Sequence, residues 1–195
     1  MKAVMISIRP KWVEKIASGE KTVEVRKTAP KLETPFKCYI YCTNYGKTFM
    51  HGCIVEKECL FRNPDTNKIK FDYAFELECC HNKYDENNFL SGKVVGEFVC
   101  DNIYAFMQYR PDIVPKTCLS TKEMEEYLGD KDGYGWHISD LKIYDKPKEL
   151  SEFHYPCTYP NNSCYNCAVE GLKPRCHYAG ELERPPHSGR YVEEK

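Results

Sequence analysis

Ser18-Gly19-Glu20-Lys21-Thr22-Val23-Glu24-Val25-Arg26 is the stretch that decides how this chain reads. Upstream of it, Trp12, Val13, Ile16 and Ala17 form an apolar stripe at helical spacing. Pro10 suits the first helical position, and Gly19 suits the position just past the helix end. Downstream, Lys21–Arg26 alternates, with Val23 and Val25 on one face and Thr22, Glu24 and Arg26 on the other. A helix that stops at glycine thus hands the chain to a strand carrying a lysine, a glutamate and an arginine. An acid on the same face as a guanidinium can orient it for planar recognition of a phosphate, a carboxylate or a base edge. The competing reading is a surface salt bridge on a sheet edge, which contributes little and says nothing about function.

The flanking sequence supplies more strands. Ala3–Ile8, Phe36–Thr43, Lys93–Phe106 and Gly133–Tyr144 are apolar β-like runs, with Gly96 as a candidate bulge. Met50–Phe61 and Lys68–Cys80 flank the turn-forming Asn63-Pro64-Asp65 and read as a hairpin-like excursion. Ser120 and Glu123 make a capping-box pattern ahead of a short helix through Leu128. The pattern predicts an α+β class, a strand-rich small barrel with helices at its ends over residues 1–150. Residues 151–195 are rich in Pro, Gly, Asn and Cys and poor in aliphatic side chains, so this irregular tail needs a cross-link or docking on the body.

Composition bounds the function. The 195 residues are 42% hydrophobic and 29% charged, enough for a folded core. With 28 Lys+Arg against 29 Asp+Glu, a uniformly cationic nucleic-acid coat is excluded. The charge is uneven, however: residues 1–50 hold 10 basic and 4 acidic side chains, leaving 18 and 25 for the remainder. Such an asymmetry either focuses an anionic ligand on one face or is a solvated surface. No apolar run approaches the ~18 residues of a membrane span. The opening Met1–Ile8 is also too short for a secretory core, so the expected location is the reducing cytoplasm.

Gly19-x-Lys21-x-x-Glu24-x-Arg26, entered from Ile6-Ser7-Ile8-Arg9-Pro10 and a helix, resembles the signature of ASCH domains of the PUA-like superfamily. Val94-Val95-Gly96-Glu97-Phe98 resembles the family's later barrel strand, and Gly133-Tyr134-Gly135-Trp136-His137-Ile138 its closing strand. The resemblance covers residues 2–150, with 45–91 as an insertion or elaborated hairpin. It implies a small β-barrel whose cleft binds RNA, a nucleotide or a modified nucleoside. Arg9, Lys21, Thr22, Glu24, Arg26, Tyr134 and Trp136 are then the candidate ligand-binding residues. For any one of the strand aromatics Tyr39, Tyr41, Tyr45, Tyr134 and Trp136, core packing competes with stacking on a base. Some relatives are small amidohydrolases that remove the acetyl group of acetylated cytidine, and they resemble this chain at Gly19, Lys21, Thr22 and Arg26. Their machinery uses the motif lysine, a threonine three residues later and a distant glutamate. Here Glu24 stands at the threonine position, where it can activate water but cannot be the hydroxyl nucleophile. Lys21 and Glu24 are therefore the candidate catalytic pair for a hydrolase, whether amidohydrolase or ribonuclease. The third reading is a non-enzymatic interaction protein.

The 12 cysteines divide into eight in residues 1–150 and a local set of Cys157, Cys164, Cys167 and Cys176. Four thiols with a central Cys-x-x-Cys suit a closed tetrahedral Zn²⁺ site, which would order a tail without a core of its own. His154 and His177 are alternative ligands to the outer cysteines. Free or redox-active thiols and an iron–sulfur cluster are the competing assignments. Similar Cys-rich tails are found on ASCH-like proteins of bacteria and their phages.

Overall fold

The computed structural model describes residues 3–44, 49–50, 53–54, 57–74, 88–106, 110–156, 182–187 and 189–194. Its strands are β1 (Ala3–Ile8), β2 (Val23–Arg26), β3 (Phe36–Cys42), β4 (Phe49–Met50), β5 (Cys53–Ile54), β6 (Lys57–Arg62) and β7 (Ile69–Ala74). They continue with β8 (Val94–Cys100), β9 (Ile103–Ala105), β10 (Tyr134–His137), β11 (Ser139–Lys148), β12 (Phe153–His154) and β13 (Gly189–Glu194). The α-helices are α1 (Pro10–Ala17) and α2 (Thr121–Leu128), and a 3-10 turn covers Val114–Thr117.

Strands β11, β8, β3, β1, β13 and β12 lie side by side in that order; β1 and β3 run parallel and the other neighbours antiparallel. Parallel neighbours require a crossover, and here it consists of α1 and β2. That crossover carries the decisive motif over one face of the sheet. Strands β2, β10 and β9 form a separate antiparallel sheet. The α+β class holds, but among the described residues no ladder joins the two sheets into the closed barrel expected from the sequence.

Alternation explains the two cores. Val4, Ile6, Ile8, Cys38, Ile40 and Cys42 point to the side covered by α1, whereas Ala3, Met5, Tyr39 and Tyr41 pack with Phe153, Leu182 and Val192 on the other. Strands covered on both faces need apolar residues at nearly every position, which is why β1 and β3 read as continuous runs. The hairpin β6–β7 turns at Asn63, whose side-chain oxygen accepts from the backbone N–H groups of Asp65 and Thr66. Leu60, Ile69 and Phe71 from this hairpin pack against the core beside α1.

Two runs that read as single strands are each divided. Lys93–Phe106 breaks at Asp101-Asn102 into β8 and β9, and Gly133–Tyr144 breaks at Ile138 into β10 and β11. Both breaks mark the passage from one sheet to the other, fastened by His137 N–H donating to Asn102 O at 2.9 Å and Ile138 N–H to Thr22 O at 2.9 Å. The bulge lies one residue before the position expected at Gly96. Ile40 pairs with Gly96 and Tyr41 with Val94, so Val95 is the extra residue. Glycine at 96 is required by close approach, since a Cβ there would stand 2.6 Å from the Lys142 carbonyl oxygen.

Candidate functional site

Gly19, at φ +79, lets the chain reverse after α1, and Lys21 N–H then donates back to Lys15 O at 2.9 Å. This reversal turns the Lys21 side chain inward, where it is 2% exposed. Its ammonium donates to Thr117 O at 2.7 Å and Val23 O at 3.0 Å, and lies 3.3 Å from Glu24 Oε2. Glu24 Oε1 is 3.0 Å from Arg26 Nη2, which also donates to Ser7 O at 2.8 Å. The three charges therefore form one buried chain, lysine to glutamate to arginine. Burial settles the surface salt-bridge alternative. Glu24 and Arg26 are 7% and 5% exposed, and ions so far from water persist only when paired and hydrogen-bonded.

This chain of charges forms part of the wall of an open cleft of about 1010 Å³. Arg9 and Trp12 contribute from α1 and its approach, Tyr41 and Thr43 from the end of β3, and Glu123 and Tyr127 from α2. The remaining wall is Arg184-Pro185-Pro186-His187, which leads into β13 and is held where the Ser7 hydroxyl donates to Pro186 O. Arg9 is ion-paired with Glu58 of β6, so the hairpin fixes one side of the mouth. The α2 side is set by the capping box. Ser120 Oγ accepts from Glu123 N–H, and Glu123, held below the usual carboxylate range chiefly by the Ser120 backbone N–H, also meets Lys11 at 3.2 Å. Burial pushes the Tyr127 phenol up, opposed by the nearby Arg26 charge.

Of the residues singled out from sequence, Arg9, Lys21, Glu24 and Arg26 meet in this cleft. Thr22 instead serves the fold through its backbone, donating to Lys116 O and accepting from Ile138 N–H. Tyr134 and Trp136 lie on β10 opposite Arg26 and Glu24, outside the cleft walls. Trp136 is buried edge-on to Phe36 at 5.7 Å between centroids, and Tyr134 packs partly buried against the same core. Tyr39 belongs to the opposite core, whereas Tyr41 does reach the cleft. Tyr45 lies outside the described residues. The sequence reading places Trp12 with the core, where it packs while also lining the cleft, and takes residues 184–191 as an extended segment lying on the body; it gives Tyr127, Arg184 and His187 no binding role. No local signal marks them, because they come to the cleft only through tertiary packing. His137 has a partner that the sequence did not disclose: its Nδ1 lies 2.6 Å from Asp101 Oδ1, a contact that holds Asp101 below its usual range.

Cys38, Cys42 and Cys100 are buried free thiols of the core, Cys59 is buried on β6, and Cys118 is half-buried. Burial pushes the thiols of Cys38 and Cys42 well up and that of Cys100 to about 12. Cys157, Cys164, Cys167, Cys176 and His177 lie outside the described residues. His154, on β12, has its Nδ1 2.9 Å from Tyr155 O. Among the described residues no group of three or more His, Cys, Asp or Glu is arranged to hold a metal, and no helix is long and apolar enough to cross a membrane.

Comparison with known proteins gives a family and a fold. The family model described as ASCH domain matches residues 6–103, a span that includes Lys21, Glu24 and Arg26 but excludes α2 and the C-terminal wall of the cleft. The crystal structure of ASCH from Zymomonas mobilis is 16% identical and superposes with a TM-score of 0.51, covering 98% of this chain and 87% of that one. A tyrosine-to-phenylalanine mutant of the same protein is 16% identical at a TM-score of 0.50, covering 99% and 91%. A comparison with curated proteins returns no match.

Proposed function

The chain belongs to the ASCH domain family, a PUA-like group often linked to RNA binding, and on that premise we propose that its cleft binds RNA, a nucleotide or a modified nucleoside. The observation that supports this reading is the Lys21–Glu24–Arg26 chain in the wall of an open cleft bordered by Trp12, Tyr41 and Tyr127. The donors of Lys21 are directed at Thr117 O, Val23 O and Glu24, so lysine acts as a positioning residue. It fixes the carboxylate, and the carboxylate fixes the Arg26 guanidinium. A guanidinium held this way loses little side-chain freedom on meeting a phosphate or base edge, and the aromatic rings offer stacking surfaces. Arg184 adds positive charge at the mouth, where Arg9 is held by Glu58. Hydrolysis in the same cleft is the second reading, favoured by the 3.3 Å contact of Lys21 and Glu24. It requires the ammonium to exchange one internal acceptor for the substrate.

The proposal includes a structural Zn²⁺ held by Cys157, Cys164, Cys167 and Cys176, which rests on spacing alone, and a reducing cytoplasmic location, in keeping with the buried free thiols. The experiment is calorimetric titration of nucleosides, acetylated cytidine and short RNAs into wild type and Arg26→Ala, with turnover and metal content measured on the same preparations. Binding that weakens about tenfold or more in Arg26→Ala supports the module. Unchanged affinity in that variant overturns it, and product formation lost in Glu24→Gln favours the hydrolase.

A further inference from the structure

A second cavity, of about 270 Å³, shares Arg26 with the cleft. Its walls come from the segment after β2 (Lys27, Ala29, Pro30, Lys31), from Val4 and Trp136, and from Gly189-Arg190-Tyr191 at the start of β13. No lining residue is acidic. Lys27, Lys31 and Arg190 are exposed, and among the described residues none of the three is ion-paired with a carboxylate. Lys27 lies over the Tyr127 ring at 5.3 Å, and Arg190 donates to the Tyr155 hydroxyl at 2.8 Å. Apolar surface from Val4, Pro30, Trp136 and Tyr191 combined with three uncompensated cations suits a group that is flat and apolar at one end and anionic at the other. The volume lies below the range of drug-sized sites, which fits a single base with its phosphate. The wall also contains an unmet donor. Trp136 Nε1–H has no hydrogen-bond partner among the described residues and is closed off from solvent, so an acceptor reaches it only by displacing a neighbouring side chain.

We propose that this cavity is a subsite for the neighbouring nucleotide of a single strand, so that the ligand of the cleft is an oligonucleotide rather than a free nucleoside; this rests on the reading of the cleft given above. Arg26 lines both cavities, so the proposed strand passes from the cleft to the second cavity over this residue. Lys27, Lys31 and Arg190 then neutralise the phosphates that a nucleoside lacks.

The test compares the four nucleosides with the four homohexaribonucleotides, titrated into wild type, Lys27→Ala/Lys31→Ala and Trp136→Phe. Wild type binds the preferred hexanucleotide at least tenfold more tightly than its nucleoside. The double lysine variant, altered only at exposed positions, loses about tenfold on the hexanucleotide and nothing on the nucleoside. Its salt dependence on the hexanucleotide is shallower by about 1.4 in log–log slope, at ~0.7 for each phosphate contact removed. Trp136→Phe follows the same length-selective pattern if it folds, and the lysine pair decides the question if it does not. Equal affinity for nucleoside and hexanucleotide, or a lysine-pair effect of the same size on both, overturns the subsite and leaves the cleft reading standing. Absence of binding to every probe by wild type overturns both.

Discussion

Glu24→Gln isolates the charge at the centre of the site with almost no change of shape. Its carboxylate stands 3.3 Å from Lys21 Nζ and 3.0 Å from Arg26 Nη2, and all three side chains are at most a tenth exposed. At an effective dielectric of ~20, each contact is worth about 5 kcal/mol of gross Coulomb energy, most of which offsets desolvation. The amide removes both attractions. Lys21 keeps two carbonyl acceptors and Arg26 keeps Ser7 O, which limits the loss. Breaking buried pairs costs about 3–5 kcal/mol, and the retained acceptors place the expected loss near the lower end, about 3 kcal/mol. For a chain of this size that corresponds to a melting midpoint lower by about 6–12 °C. Urea and thermal unfolding of wild type, Glu24→Gln, Lys21→Met and the double variant form the cycle, with a coupling of about 1 kcal/mol or more expected between positions 21 and 24. A Glu24→Gln change below about 0.5 kcal/mol, the size of an exposed pair, refutes the buried-network argument.

Three further outcomes follow from the same geometry. Of Cys38, Cys42, Cys100 and Cys118, iodoacetamide at pH 8 labels Cys118 first, since burial raises the thiols of the other three; peptide mapping that finds Cys42 labelled as fast contradicts this. The Cys100 thiol is raised by burial from 9.0 to about 12, so the folded state holds its proton where the unfolded state releases it. Its contribution is therefore complete below pH ~9 and is lost between pH ~9 and ~12, at up to about 1.4 kcal/mol per pH unit. Denaturation series across that window are less steep in Cys100→Ala. Gly96→Ala drives a methyl toward the Lys142 carbonyl and lowers stability by about 1–3 kcal/mol; an unchanged urea midpoint would mean that β8 and β11 are not so close.

The elements defined by local rules were legible in the sequence. Pro10 and Gly19 bracket α1, Ser120 and Glu123 cap α2, Asn63 turns the hairpin, and alternation placed Glu24 and Arg26 on one face. The division of Lys93–Phe106 and Gly133–Tyr144 was not legible. A strand that changes sheets keeps its apolar residues, and Ile138 at the second break is itself buried. Burial of Lys21 was also hidden, because it depends on the Thr117 carbonyl, 96 positions away. Trp136 shows the opposite failure: an aromatic beside the motif in register turned inward against Phe36. Arg184 and His187 reach the cleft through pairing of β13 with β1, which residue spacing does not encode.

That pairing bears on the order of events during synthesis. Of the described strands β1 is made first and β13 last, yet they are neighbours inside one sheet. Until β13 emerges, β1 has a free edge, and Val192, fully buried in the finished fold, covers nothing. Contacts of such long sequence separation form slowly. The Lys21–Glu24–Arg26 segment is thus made early, but the cleft has all its walls only after β13 has emerged and inserted. A nascent chain from which β13 has not yet emerged carries the Lys21–Glu24–Arg26 motif without the C-terminal wall of the cleft.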